Sequence, residues 1–160
     1  REHDAHVDCR GGAYNKNACN DLIEREIGRS RRSGNHLCIS TIDLDNFKEI
    51  NDTRGHKTGD KVLQNVAKIV KKQIRIYDLF CRTGGEEFAV LLANADLNQA
   101  SLSAERIRSA VAESPFAPKI TASLGIAQYD VRENSEEFFA RADRALYAAK
   151  QAGRNRVRAG

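Results

Sequence analysis

Two acidic segments of this chain carry carboxylates where packing alone gives them no reason to be. In Arg82-Thr83-Gly84-Gly85-Glu86-Glu87-Phe88, two acids follow a glycine pair and precede an apolar run, Ala89 to Leu92. The glycine pair predicts a two-residue hairpin turn, with both central residues at positive φ and the acids at the rim of a sheet. In Leu37-Cys38-Ile39-Ser40-Thr41-Ile42-Asp43, an apolar run ends abruptly in an acid. If the two runs are neighbouring strands, Asp43 meets Glu86 or Glu87 at one sheet edge; alternation alone leaves open which. Two carboxylates and a main-chain carbonyl form a hard oxygen set suited to Mg²⁺, which keeps waters and phosphate oxygens as its other ligands. Such an ion polarises a phosphoryl oxygen and lowers the pKa of an attacking hydroxyl.

Phosphate chemistry also needs cations and N–H donors. Asp45 and Asn46 stand where they would cap a following helix, whose free N–H groups and positive dipole end suit an anion; Lys48 adds a mobile charge. In the next loop, Asn51-Asp52-Thr53-Arg54-Gly55-His56-Lys57-Thr58-Gly59-Asp60, an Asn and an Asp match the donor and acceptor pattern of a guanine edge. The same residues also fit a polar inter-helix loop with Asp60 as a helix cap and His56 as a structural loop histidine. Near the end of the chain, the i,i+4 spacing of Lys150 and Arg154 places both on one helix-end face. There they could clamp phosphate or simply complement the helix C-terminus.

The elements that must position these groups are legible from hydrophobic period and turn chemistry. Asn17 to Arg32 reads as an amphipathic helix stopped by Ser33-Gly34-Asn35, and residues 37–43 read as a strand. A short helix over 46–52 precedes a longer one with Val62, Leu63, Val66, Ala67, Val70 and Ile74 on one face. Residues 77–82 and 87–93 read as the two arms of the hairpin. Asp96 and Gln99 form a capping box for a helix running to Glu113, ended by Pro115 and Pro118. Residues 120–129 alternate as a strand, 135–151 form a last helix, and 156–158 a last edge strand. Alternation of helices and strands with one hairpin predicts an α/β (α+β) sandwich. Its central sheet is mixed, mostly antiparallel and of about five strands. Residues 1–14 read as a lead-in and 15–160 as one domain.

With 160 residues, 41% hydrophobic and 30% charged, the chain has the size and composition of a single globular domain. No apolar run approaches the roughly 18 residues of a membrane span, and no signal-peptide pattern is present. The net charge of +4 is mild, and no aromatics interleave its basic clusters as a single-strand nucleic-acid groove would require. Four cysteines, Cys9, Cys19, Cys38 and Cys81, show no metal-ligand spacing. Cys38 and Cys81, inside apolar runs, read as buried hydrophobes rather than a disulfide framework, which points to a reducing, cytoplasmic setting. The absence of any methionine suggests a piece of a longer protein with an upstream domain.

Together these segments resemble the GGDEF family of diguanylate cyclases over nearly all of residues 8–158. Gly84-Gly85-Glu86-Glu87-Phe88 is the GGEEF form of the signature. Asp43 to Lys48, Asn51-Asp52, Gly55-His56, Gly59-Asp60 and Ala142-Asp143…Tyr147…Lys150…Gly153-Arg154-Asn155 match the family's blocks in order. The resemblance implies a nucleotide-cyclase, palm-like fold. It also implies two Mg²⁺ ions, with Mn²⁺ as a substitute, on Asp43, Glu86 and the Leu44 carbonyl, Glu87 assisting metal or nucleotide. By the same resemblance Asn51 and Asp60 read guanine, and the backbone at Asn46–Phe47 with Lys48, Lys150 and Arg154 grips the triphosphate. Each domain of a homodimer would hold one GTP, and the two would condense to cyclic di-GMP and two pyrophosphates.

Arg75-Ile76-Tyr77-Asp78 matches the family's RxxD motif, which implies product inhibition by cyclic di-GMP with Arg106 as a further contact. An upstream sensory domain is implied as well. One block departs: Asp8, Gly12 and Asn15 fit the family's opening run, whereas Gly11, Ala13 and Lys16 replace its usual Thr, Leu and Arg. Thr83 also stands where an aromatic is common. The alternative from another class is a catalytically idle module that senses cyclic di-GMP through Arg75 and Asp78; intact catalytic carboxylates argue against it. A basic nucleic-acid-binding domain is a third, weaker fit.

Overall fold

The computed structural model describes residues 12–160. Most of the predicted lead-in, including Asp8, Cys9 and Gly11, lies outside the described residues. Helix α1 runs over Lys16–Ser33. Asn15 begins it by accepting from the Ala18 N–H at 2.9 Å, and Gly34 ends it at φ 76°. Strand β1 (Leu37–Leu44) is buried along its whole length, as a central strand must be when helices cover both faces. Helices α2 (Phe47–Arg54) and α3 (His56–Gln73) follow, then strands β2 (Leu79–Arg82) and β3 (Glu87–Ala93). Helix α4 (Leu97–Ala112), strand β4 (Ala122–Gln128), helix α5 (Ser135–Gln151) and strand β5 (Val157–Ala159) complete the chain.

The sheet order is β2-β3-β1-β4-β5. All pairings are antiparallel except the parallel β4–β5 pair, so the expected mixed, mostly antiparallel five-stranded sheet is present. One face packs on α3 and α4 through Ile42, Phe88, Val90, Leu124 and Ile126, with Val62, Val66, Val70, Ala104 and Ile107 opposite. The other face packs on α1 and α5 through Ile39, Ala89, Leu91 and Ala127, against Ile23, Ile27, Phe138 and Ala142. The capping box of Asp96 and Gln99 is formed, and Asn134 with Glu137 makes a second one at the start of α5.

Four local expectations are corrected. Cys81 is not a free buried thiol: it is disulfide-paired with Cys19, with Cα atoms 5.8 Å apart, joining α1 to β2. Sixty-two residues separate the pair, a distance that no spacing rule bridges. The hairpin turn is longer than two residues, with Arg82 paired to Phe88. The Thr83 and Gly84 N–H groups both donate to the Glu87 carbonyl, at 2.9 and 3.3 Å, and neither glycine takes positive φ. Asp45 and Asn46 do not cap α2 through their side chains: Asn46 occupies the cap position at φ 56° without a side-chain hydrogen bond. Asp60 is no cap either, since α3 starts four residues earlier, at His56 after Gly55.

Candidate active site

The register of β1 on β3 places Asp43 directly across from Glu87, and the Leu44 N–H donates to the Glu86 carbonyl at 3.3 Å. The carboxylates therefore converge at one end of the central strands, as the sequence suggests. Pairing gives Glu87 the cross-strand position, while Glu86 sits in the turn beside it. Burial, and then the neighbouring Glu87 charge, push the Glu86 carboxyl above its usual range. The turn itself is braced by Arg82, whose Nε donates to the Gly84 carbonyl at 3.1 Å and Nη2 to the Gly85 carbonyl at 2.5 Å. A Cβ at Gly84 would lie 2.6 Å from Glu87 Oε2, so a larger residue there would move the Glu87 carboxylate. Sequence reasoning missed the role of Arg82, although its place immediately before the turn was a usable signal.

Asp43 is 5% exposed. Lys150, on α5, donates from Nζ to its Oδ2, while Oδ1 is buried with no hydrogen-bond partner. A buried carboxylate oxygen without a donor is costly unless a cation completes it. Among the described residues no three His, Cys, Asp or Glu side chains gather into a metal cluster. The hard oxygens at hand are Asp43 Oδ1 and the carboxylates of the Glu86–Glu87 turn across from it. That set fits a Mg²⁺ or Mn²⁺ ion whose other ligands come from water and phosphate, and does not fit an ion enclosed by protein.

Lys150 and Arg154 do not share a helix face, because α5 ends at Gln151 and Arg154 lies in the turn beyond, at φ 65°. They are still neighbours: burial first, and then the Arg154 charge, lower the Lys150 pKa. Asn46 and Lys48 are exposed at the start of α2, and Phe47 is buried under it. Asn51, near the end of α2, lies over Gly59 in the first turns of α3. A Cβ on that glycine would collide with Asn51 Oδ1 and stand 3.2 Å from the Phe47 ring. The close approach of Asn51 to Gly59 packs α2 on the start of α3, where Asp60 is the next residue along.

The RxxD pair is closed on itself. Arg75 Nη2 donates to Asp78 Oδ1 at 2.7 Å, and the Arg75 N–H donates to Asp78 Oδ2 at 2.8 Å. The guanidinium also bonds the Ala93 carbonyl at 3.0 Å and lies over the Tyr77 ring, 4.8 Å from its centroid. Ala93 is the far end of β3 from Glu87, about 20 Å away at the rise of an extended strand. Arg75 and Asp78 are thus remote from the carboxylates of their own domain. Arg106 is exposed on α4 and borders a surface depression with Gln73, at the end of α3.

A cavity of about 610 Å³ opens between α1 and α5, with Thr41, Glu87, Phe139 and Asp143 in its wall. It shares only Glu87 with the predicted site residues, and the rest of the site is an open rim. Both Glu87 and Asp143 line this cavity, and burial, then the Glu87 charge, raise the Asp143 pKa.

Comparison with known proteins gives a consistent picture. The family model described as "Diguanylate cyclase, GGDEF domain" matches residues 5–156. Over 151 residues the chain is 43% identical to the diguanylate cyclase DgcP of Pseudomonas aeruginosa, covering 91% of this chain and 22% of that protein. The coiled-coil and GGDEF domain of DgcB from Caulobacter crescentus, solved in complex with c-di-GMP, superposes with a TM-score of 0.93 at 32% identity. The match covers 99% of this chain and 87% of that one. The active GGEEF domain of a diguanylate cyclase from Vibrio cholerae gives a TM-score of 0.87 at 35% identity, covering 91% of this chain and 96% of that one. The chain thus spans about a fifth of DgcP but nearly the full length of the isolated domains.

Proposed function

We propose a condensation of two GTP molecules as the activity of this chain, which belongs to the GGDEF family of diguanylate cyclases. The products are cyclic di-GMP and two pyrophosphates. The observation that carries the reading is the state of Asp43: buried, one oxygen held by Lys150 and the other without a partner, beside the Glu86–Glu87 turn.

Each domain holds one nucleotide, and two domains face each other. The 3′-hydroxyl oxygen of one ribose forms a bond to the α-phosphorus of the other GTP, the bond to the bridging oxygen breaks, and pyrophosphate leaves; the second bond forms likewise. Asn51, packed on Gly59, and Asp60 one residue further read the guanine edge. The N–H groups at Asn46–Phe47, together with Lys48, Lys150 and Arg154, take the triphosphate. Lys150, which pairs with Asp43 Oδ2, is within the same rim and would also take a phosphate oxygen of bound nucleotide. Mg²⁺, or Mn²⁺ in its place, would be held by Asp43, Glu86 and the Leu44 carbonyl with Glu87 beside them, where it supplies charge neutralisation and a more acidic attacking hydroxyl. No side-chain nucleophile is needed, because catalysis here is positioning plus electrostatics.

Incubating the domain, fused to a dimerising coiled coil, with GTP and Mg²⁺ tests this by mass analysis of the products. Cyclic di-GMP and pyrophosphate are expected, and both are lost in Asp43→Ala and Glu86→Ala. A fusion that binds GTP yet forms no product would overturn the reading. The closed Arg75–Asp78 pair, exposed on its guanidinium side, supports a second role: binding of cyclic di-GMP as an inhibitor, with Arg106 contributing.

A further inference from the structure

Asp45 is a buried carboxylate that this mechanism leaves unused. It is 5% exposed, yet it has four hydrogen bonds around it. Its Oδ1 accepts from Ser123 Oγ at 2.7 Å; its Oδ2 accepts from Thr121 Oγ1 at 2.7 Å and from the Asn155 N–H at 3.0 Å. Its own N–H donates to the Thr121 carbonyl at 2.9 Å. One side chain thus ties the end of β1, the start of β4 and the turn after α5.

That turn needs tying. Gly153, Arg154 and Asn155 lie at φ 123°, 65° and 46°, three successive residues in conformations that L side chains avoid. Such a segment keeps one shape only where its surroundings over-determine it. Asn155 is held on both flanks: Asp45 takes its N–H, and Arg108 Nη1 donates to its Oδ1 at 2.8 Å while pairing with Glu105 at 2.6 Å. Arg154, exposed like Ala152 and Gly153 before it, directly precedes this fixed point, so whatever fixes Asn155 restricts the reach of Arg154.

We propose that Asp45 is a positioning residue for the triphosphate: through the Asn155 N–H it holds Arg154 beside Lys150. The inference rests on the reading that Arg154 binds phosphate. The test is a double-mutant cycle on the dimerised domain with Asp45→Asn, Arg154→Ala and both together, following KM for GTP, kcat and Tm. Asn keeps the shape but cannot accept from donors on both sides. Asp45→Asn is expected to raise KM about tenfold with kcat nearly unchanged, the usual scale for losing one charge-assisted hydrogen bond. In the Arg154→Ala background it should add less than about twofold, since the group it positions is gone. A full multiplication of the two effects, or an unchanged KM in Asp45→Asn beside a raised one in Arg154→Ala, overturns the inference alone. A wild-type KM in Arg154→Ala overturns the phosphate-clamp reading and this inference with it. Should Asp45→Asn not fold, Thr121→Val, which strips one donor from the same Oδ2, goes through the same cycle with the same criteria.

Discussion

At the scale of single residues, the site is defined by which polar groups lack an ordinary partner. Asp43 Oδ1 lacks one, and its sister oxygen is satisfied by Lys150, whose side chain is 31% exposed. Lys150→Ala should therefore raise KM for GTP at least tenfold. Thermal melts of the nucleotide-free domain should fall as well, because the change leaves the buried Asp43 carboxylate without its one side-chain partner. A large fall in Tm with unchanged KM would make the lysine structural. Gly59→Ala is a sharper probe. In an ordinary helix interior this change stabilises by about 1 kcal/mol, but here the new methyl meets Asn51 and Phe47. Guanine selectivity should suffer: KM for GTP rises while KM for ITP, which lacks the exocyclic amine, rises less. Of these residues, only Asp43 stands out in its local pattern, as an acid ending an apolar strand; Lys48, Asn51 and Asp60 fit ordinary helix-start and loop patterns and are singled out by the family resemblance. The role of Asp45 was not legible, since its partners Thr121, Ser123 and Asn155 lie far along the chain and no local pattern reports them.

Elements were read more fully than their junctions. Period-3.6 faces and capping boxes located every helix to within a few residues, because both signals are local. The misreadings lie at junctions. The glycine pair is turned by bonds from Arg82, Thr83 and Gly84 rather than by positive φ, and Asn46 enters α2 at positive φ without a side-chain cap. Arg154 falls in the turn after α5, whose end at Gln151 was read correctly. Gly125 shows how one junction sets the site. It lies in β4 under α5, and a Cβ there would collide with the Ala142 carbonyl and the Leu146 N–H. Helix backbone and sheet touch at that point, and Thr41 reinforces it by donating to the Ala142 carbonyl at 3.3 Å. Gly125→Ala should push α5 off the sheet, costing about 3 kcal/mol. The same displacement carries Lys150 away from Asp43. Denaturant unfolding should show the loss, and product formation should fall further than stability alone explains. Retained turnover at a temperature where the variant is fully folded would mean that α5 tolerates the shift.

For the molecule as a whole, the Cys19–Cys81 bond closes a long loop between the first helix and the edge strand that leads to the Gly84-Gly85 turn. Its loss should cost about 2–4 kcal/mol, read as a lower Tm under reductant or in Cys19→Ala. Cys38, whose thiol burial pushes up to about 12, should stay unalkylated in both states until the fold opens. The two ends of β3 have separate duties. Arg75 and Asp78 sit about 20 Å from the carboxylates, so under the proposed inhibitor role product bound there would not touch the carboxylates of its own domain. Arg75→Ala should leave initial rates intact and shift the inhibition curve for added cyclic di-GMP at least tenfold. That division presupposes the feature which a single chain does not contain: the attacking hydroxyl arrives on another domain's nucleotide. Specific activity of the unfused domain should therefore rise in proportion to protein concentration in the dilute range and level off as dimers saturate. Pyrophosphate release measured across a hundredfold dilution series checks this. A specific activity independent of concentration would place both nucleotides on one domain and remove the need for a facing partner.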